Sequence, residues 1–127
     1  ERIDELPGLP AGGWRSVYDG MTTDDPSELD IDHVVALREA WRSGAATWDP
    51  PRRAAFANDL DEPRTLIAVS ASSNRSKGDR DPSEWRPPDQ GHWCTYVTDW
   101  LAVKLRWDLA VDPIEFTAVQ FLVDDCG

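Results

Sequence analysis

The stretches ELDIDHVVAL (residues 28–37) and TLIAVSASSNRSKGD (residues 65–79) decide how this chain folds and where its chemistry lies. The first stretch opens with period-two alternation over Leu29, Ile31 and His33, which predicts a strand. The second opens with an apolar run over residues 65–69 that predicts a buried strand. The serine-rich segment that follows predicts a helix over residues 70–77, with a serine as its N-terminal cap and a glycine directly after its end.

Helical patterns account for most of the remaining chain. Residues 1–26 contain many glycines, prolines and aspartates, which predict an irregular arm. The predicted order is strand, two short helices, strand, helix and two longer helices, so we expect an α+β domain with a very small sheet. The additional helices are predicted over residues 37–43, over residues 50–57, over residues 92–109 and from Pro113 onward.

Three tryptophans recur at seven-residue spacing in the longest helical segment, at Trp93, Trp100 and Trp107. Such a stripe could serve as a platform on which nucleobases stack. Because this spacing keeps the three side chains on one helix face, we predict instead that they pack in the core.

The composition is that of a soluble globular chain with an uneven charge distribution. The 127 residues include 13 basic and 24 acidic side chains, which give a net charge of -11. This charge argues against nucleic-acid binding, since phosphate binding is largely charge neutralisation. However, nine of the 13 cations lie in residues 33–88, between two acidic flanks. Any anion should therefore bind in the middle segment. The apolar runs are too short to span a membrane.

The two cysteines, Cys94 and Cys126, are too few for a four-thiolate zinc site. We expect a disulfide, with two buried thiols as the alternative. A disulfide closing a loop of this length would stabilise the fold by about 3–4 kcal/mol in the chain-entropy model. It would also indicate an oxidising compartment, which favours secretion.

Two short motifs carry the candidate chemistry. Asp32-His33 lies in the first predicted strand, and Asn74 and Lys77 share one face of the helix after the second strand. Histidine accepts protons at neutral pH, and carboxylate and amide oxygens are ligands for Mg²⁺ or Mn²⁺. On a regular strand Asp32 and His33 point to opposite faces, so a shared site requires the strand to bend or end there. Each motif taken alone is also typical of ordinary structural residues.

Taken together, these motifs resemble the HNH nucleases of the ββα-metal fold. The closest resemblance is to the C-terminal domain of GmrSD-type, modification-dependent restriction endonucleases, a family with many small exported members. It extends over about residues 14–126, including Val103-Lys104 and Cys126. The stretches that carry it are DIDHVV (30–35), SGA (43–45), FANDL (56–60), LIAVS (66–70) and NRSKGD (74–79), together with Pro82 and Trp85.

The resemblance implies one HNH domain over residues 1–127. Its ββα-metal core, with a two-stranded antiparallel sheet, would occupy residues 28–85, preceded by the arm and followed by helices over residues 90–126. The resemblance also implies a role for each site residue. The catalytic residues would be His33, as the general base, and Asn58, which braces the loop carrying it. The ligands of one divalent ion, Mg²⁺ or Mn²⁺, would be Asp32 and Asn74. The phosphate-binding residues would be Arg75 and Lys77.

The implied activity is metal-dependent endonucleolytic hydrolysis of phosphodiester bonds that leaves 5′-phosphate and 3′-hydroxyl ends. DNA is the expected partner, with RNA left open, and contacts through the backbone imply little sequence preference. We expect a secreted monomer with no membrane partner. Two alternatives remain open at this stage. The domain could be a non-catalytic nucleic-acid-binding module, or an acidic protein whose flanks bind a basic partner.

Overall fold

Two antiparallel pairs of strands and five helices form the described part of the chain, residues 13–126 of a computed structural model. The predicted α+β class is therefore confirmed. The strands are β1 (Trp14–Arg15), β2 (Thr22–Thr23), β3 (Leu29–His33) and β4 (Leu66–Ser70). The helices are α1 (Leu37–Arg42), α2 (Pro50–Ala57), α3 (Ala71–Lys77), α4 (Trp93–Arg106) and α5 (Pro113–Cys126). Short 3-10 turns lie at Pro26–Glu28, Ala45–Thr47 and Gln90–His92.

The central pairing joins β3 to β4, the two strands predicted from the deciding stretches. Asp30 pairs with Val69 and His33 pairs with Leu66. The first strand ends at His33, where the alternation also ends, because the chain then turns inward. Val34 is buried, and its backbone nitrogen donates to the carbonyl of Thr65 at 3.0 Å. His33 therefore lies at the end of the strand, next to the turn into α1.

Helix α3 follows β4 directly and has the predicted signals at both ends. The Ser70 hydroxyl accepts a hydrogen bond from the Ser73 backbone nitrogen at 3.2 Å, which caps the helix start. Gly78 ends the helix with a φ of 56°, in the left-handed region that glycine adopts without steric cost. These two signals set where α3 begins and where it ends.

The predicted irregular arm is wrong for the part of it that the structure describes, while residues 1–12 lie outside the described residues. From Trp14 the chain forms the β1–β2 hairpin, whose turn packs into the core. Tyr18 is fully buried, and the Ser16 hydroxyl accepts a hydrogen bond from the Ser70 backbone nitrogen at 2.9 Å. Two-residue strands are too short to show a hydrophobic period, so the sequence pattern could not predict this hairpin.

The two C-terminal helices cover the core, as their patterns predicted. Trp100 is fully buried, and Trp93 and Trp107 pack against the same cluster, so the predicted core stripe is confirmed. A disulfide joins Cys94 at the start of α4 to Cys126 at the end of α5, with the Cα atoms 5.7 Å apart. No helix within residues 13–126 is both long and apolar enough to cross a bilayer.

A buried charge cluster fastens α1 to α4 and α5. The Lys104 ammonium lies 2.7 Å from a Glu39 oxygen and 2.9 Å from a Glu115 oxygen. The Trp100 indole nitrogen also donates to Glu115 at 2.7 Å. Because unpaired charges in the interior are costly, this mutual satisfaction makes the three helices depend on one another.

Candidate functional site

An open cavity of about 320 Å³ lies at the end of β3 and is lined by Asp30, Ile31, His33 and Asn74. We call it the His33 cavity. Asp30 and His33 come from β3, and Asn74 comes from the middle of α3. The Asn74 amide nitrogen donates to a carboxylate oxygen of Asp30 at 2.9 Å. The cavity therefore presents a carboxylate, an amide and an imidazole to solvent together.

The imidazole of His33 is held in a defined orientation by α2. Its Nε2 lies 2.8 Å from the backbone carbonyl oxygen of Ala57, and its ring stacks on Phe56 with centroids 6.1 Å apart. Because a carbonyl oxygen can only accept, Nε2 must carry the hydrogen in this contact. Nδ1 then keeps the lone pair, so it is the nitrogen able to take a proton.

The C-terminal end of α2, which supplies that carbonyl, is itself held in place. The Asn58 amide nitrogen donates to the backbone carbonyl of Ala54 at 2.9 Å, which closes the last turn of the helix. Asn58 was predicted to brace the loop that carries the base. Its side chain bonds to its own helix, one residue beyond the Ala57 carbonyl that contacts His33.

Asp59 ties the same corner to α4. Its carboxylate accepts from Arg106 at 2.8 and 3.0 Å, from the Trp107 indole at 3.0 Å and from the Thr65 hydroxyl at 3.0 Å. Burial acts to raise the pKa of Asp59, but these hydrogen bonds outweigh it and lower the pKa below its ordinary value. The sequence motif included Asp59 but did not predict this anchoring role.

Asp32 lies on the same strand as Asp30 in very different surroundings. It is only 4% exposed, and its carboxylate accepts from the Tyr18 hydroxyl at 2.7 Å and from the Lys77 ammonium at 3.2 Å. Lys77 has no exposed surface and also donates to the His33 carbonyl at 3.0 Å. Burial raises the pKa of Asp32, while the Lys77 charge and the Tyr18 hydrogen bond oppose that rise.

These contacts enclose two of the predicted site residues, Asp32 and Lys77, in the interior. Asp32 was predicted to share an ion with Asn74, but both its oxygens accept hydrogen bonds from buried protein donors. Lys77 was predicted to contact phosphate, but its ammonium is enclosed in the ion pair with Asp32. The spacing of the residues explains these contacts. Asp30 and Asp32 are two apart and share one face of β3, and Asn74 and Lys77 are three apart and share one face of α3. Asp30 therefore contacts Asn74, while Asp32 contacts Lys77.

Arg75 remains accessible beside the His33 cavity. Its side chain is 75% exposed, and its Nε lies 3.7 Å from an Asp30 oxygen. Among the predicted site residues, Asn74 and Arg75 are therefore accessible, while Asp32 and Lys77 are enclosed.

Sequence reasoning missed Asp30, the Ala57 carbonyl and Tyr18. The position of Asp30 two residues before Asp32, and hence on the same strand face, was the one available signal for the first of these.

A second group of carboxylates lies elsewhere, where ligand atoms of Asp81, Asp112 and Glu115 come within 4.8 Å of one another. Each already has a protein donor. Asp81 accepts from Ser83, Asp112 caps the first turn of α5, and Glu115 is bonded to Lys104 within the buried charge cluster. These contacts account for the group as a structural feature of the α5 start.

The protein is thus a small α+β protein whose solvent-facing histidine, carboxylate and amide form a site suited to acid–base chemistry. Residues 12–112 match the model of the C-terminal domain of GmrSD restriction endonucleases. This range covers most of the chain, so the chain belongs to that family. The resemblance of the motifs to this family is thereby confirmed.

A curated relative extends this comparison. The chain is 45% identical over 125 residues to a protein of Arthroderma benhamiae described as an uncharacterized secreted protein. The alignment covers 98% of this chain and 61% of the relative, so the chain spans about three fifths of the relative's length. No solved structure matches the chain.

Proposed function

We propose that this protein is a metal-dependent endonuclease of the HNH type that hydrolyses phosphodiester bonds, with DNA as its main substrate. The observation that supports the proposal is the grouping of His33, Asp30 and Asn74 in one open cavity. The order of the elements fits a ββα-metal core, in which β3 supplies Asp30 and His33, β4 pairs with β3, and α3 supplies Asn74. Membership of a restriction endonuclease family supports the same class of reaction.

In this proposal His33 is the general base. The hydrogen bond from Nε2 to the Ala57 carbonyl leaves Nδ1 as the proton acceptor. A water molecule at hydrogen-bond distance from Nδ1 would lose its proton to the imidazole as it attacks the phosphorus. The Ala57 carbonyl would then stabilise the doubly protonated ring, because it already accepts from the opposite nitrogen.

Asp30 and Asn74 fit a divalent ion. A carboxylate and an amide offer hard oxygen ligands of the kind that Mg²⁺ and Mn²⁺ prefer, and both side chains line the solvent-facing cavity. When bound, such an ion polarises a phosphate oxygen and stabilises the leaving oxygen. The Asn74 amide would turn its oxygen toward the ion in place of its present hydrogen bond to Asp30.

The family resemblance implies Asp32 as the carboxylate ligand, whereas the accessible geometry favours Asp30. Asp32 could reach an ion only if Lys77 gave up the ion pair. Comparison of Asp30→Asn with Asp32→Asn, described in the Discussion, decides between the two carboxylates.

Two further residues complete the proposed site. Asn58 is a positioning residue, since it holds the end of α2 that orients His33. Arg75 would contact a substrate phosphate from the cavity mouth. Contacts to phosphate carry no sequence information, so the proposed enzyme has little sequence preference.

We also propose that the protein works outside the cell as a monomer. The disulfide between Cys94 and Cys126 requires an oxidising compartment. The relative described as a secreted protein supports the same location.

Nicking of supercoiled plasmid tests the proposed activity. We expect nicking with Mg²⁺ or Mn²⁺, none with EDTA, and a loss of roughly 10²–10⁴-fold in His33→Ala. The matched control is His92→Ala, which removes the second histidine of the chain and should nick normally. Plasmid binding without nicking would indicate a non-catalytic binding module. If the protein neither binds nor nicks plasmid, an acidic interaction protein is favoured. Normal nicking by His33→Ala would refute the assignment of His33 as the base.

A further inference from the structure

A second, apolar pocket adjoins the His33 cavity across the end of α2. Its volume is about 320 Å³, which lies in the size range of small-ligand sites. We call it the tryptophan pocket; its walls include Leu37, Trp41, Trp48, Phe56 and Ala57. Phe56 and Ala57 are also the residues that stack on His33 and accept its hydrogen bond. The two sites are therefore separated by a single wall.

The mouth of this pocket exposes large apolar side chains that the fold leaves uncovered. Leu37 is 49% exposed and Trp41 is 51% exposed, on the same face of α1. The guanidinium of Arg53 lies 5.3 Å from the ring centroid of Trp41. An apolar pocket lined by aromatic rings offers a surface on which a planar aromatic ligand can stack.

The charge around the pocket favours a ligand linked to phosphate. Residues 33–58 contain four arginines and two acidic residues, in a chain with a net charge of -11. Arg38 at the start of α1 is 78% exposed, with its Nε 4.0 Å from an Asp79 oxygen. Arg52 lies beside the pocket, with its guanidinium 4.4 Å from the ring centroid of Trp48. An apolar cleft with Arg52 and Arg53 at its edge suits a base attached to a sugar–phosphate backbone.

We infer that the tryptophan pocket binds one unstacked nucleobase next to the phosphate held at His33, so that the protein prefers single-stranded segments. This inference rests on the proposed nuclease function. A base inside a duplex is stacked and paired and cannot enter the pocket, whereas a base in a single strand is available. The wall shared by the two sites would then align the strand for attack.

Binding of a short fluorescent oligodeoxythymidine tests the inference. The comparison ligand is an abasic oligomer of the same phosphate count, and both are measured in EDTA and low salt so that no cleavage occurs. We expect the base-containing oligomer to bind about 5- to 100-fold more tightly, which corresponds to stacking of one base. Equal affinities, or no binding of either oligomer, would overturn the inference.

Substitutions at the pocket mouth test whether the tryptophan pocket is the site that binds the base. Trp41→Ala should abolish the difference between the two oligomers, and Trp41→Phe should restore most of it. Leu37→Ala provides a second, independent change at the pocket mouth and should reduce the difference. The control is Phe116→Ala on α5, where the side chain is similarly exposed at 55% and no change is expected. If Trp41→Ala instead changes the sedimentation of the protein and leaves oligomer binding intact, the pocket is a protein interface and the inference is wrong.

The experiments distinguish a failure of the base-binding inference from a failure of the proposed nuclease function. Base-dependent binding by a protein that does not nick plasmid would support the pocket and refute the enzyme. Plasmid nicking with equal binding of the two oligomers would refute the pocket and support the enzyme.

Discussion

Asp30 and Asp32 stand two residues apart on β3 and face the same helix, yet they belong to different regions. Asp30 is paired with Asn74, lines an open cavity and has Arg75 nearby. Asp32 is paired with Lys77 beneath the surface, where Tyr18 donates to it as well. One strand face thus carries an accessible carboxylate and an enclosed one.

Solvent exposure therefore distinguishes Asp30 from Asp32, although the two aspartates look equivalent in the sequence motif. A carboxylate that faces solvent can exchange its partner for an ion at small cost. A carboxylate with a buried ammonium partner cannot, because loss of the pair leaves the ammonium uncompensated in the interior.

The largest effect is expected from the two aspartates themselves. Asp32→Asn should lower the free energy of unfolding by about 3–5 kcal/mol, since it leaves Lys77 without its counter-charge. The matched change Asp30→Asn should cost less than about 1 kcal/mol, because its pairing is partly exposed. Urea denaturation measures both values.

Calorimetric titration with Mn²⁺ adds a second readout to this pair of variants. Asp30→Asn should weaken binding and Asp32→Asn should leave it unchanged under conditions where that variant is folded. If only Asp32→Asn loses Mn²⁺, then Asp32 is the ligand, as the family resemblance implies, and Lys77 moves when the ion binds.

Reduction of the disulfide should affect the stability of the fold but not the accessible site. In the chain-entropy model, loss of the bond between Cys94 and Cys126 costs about 3–4 kcal/mol. The melting temperature should fall on reduction, while plasmid nicking below the melting transition should persist. Loss of nicking in a protein that is still folded would show that the C-terminal helices shape the His33 cavity.

Removal of the exposed cation should have a smaller, purely electrostatic effect. Arg75→Ala should weaken cleavage of all sequences alike and lower the slope of log affinity against log salt by about 1. Stability should be unchanged, because Arg75 is 75% exposed. Arg80→Ala serves as a control for general charge loss. A sequence-dependent loss would mean that Arg75 contacts bases rather than phosphate.

The smallest effect on stability is expected from a half-buried carboxylate, that of Asp99. Asp99 on α4 is half-buried, and burial raises its pKa from 3.8 to about 6, with Arg64 opposing and Glu62 adding to the rise. Because the folded state binds the proton more tightly, this group makes folding less favourable as the pH rises from about 4 to 6. With its remaining exposure taken into account, Asp99→Asn should stabilise the protein by about 1 kcal/mol at neutral pH. At about pH 4 that gain should be absent in thermal melts, and an equal gain there would contradict the assigned cause.

The sequence predicted the elements of this site better than their contacts. The strands β3 and β4, the serine cap of α3 and its terminal glycine all followed from local patterns, as did the C-terminal helices. Which carboxylate faces Asn74 depends on how α3 lies across β3, and this is a tertiary relation without a local signal. The sequence likewise could not show that the Ala57 backbone, rather than a side chain, orients His33.

The β1–β2 hairpin has a consequence for how the protein folds. Tyr18 and Lys77, the two donors to Asp32, lie 14 and 45 residues away in sequence. A partly folded chain that buries Asp32 without either donor would carry an unsatisfied carboxylate, which costs at least about 1–3 kcal/mol. Intermediates that lack the hairpin or α3 are therefore disfavoured, and both should join the core in one cooperative step. In native-state hydrogen exchange, the Ser16 amide, bonded to the Met21 carbonyl at 2.7 Å, should open only with global unfolding.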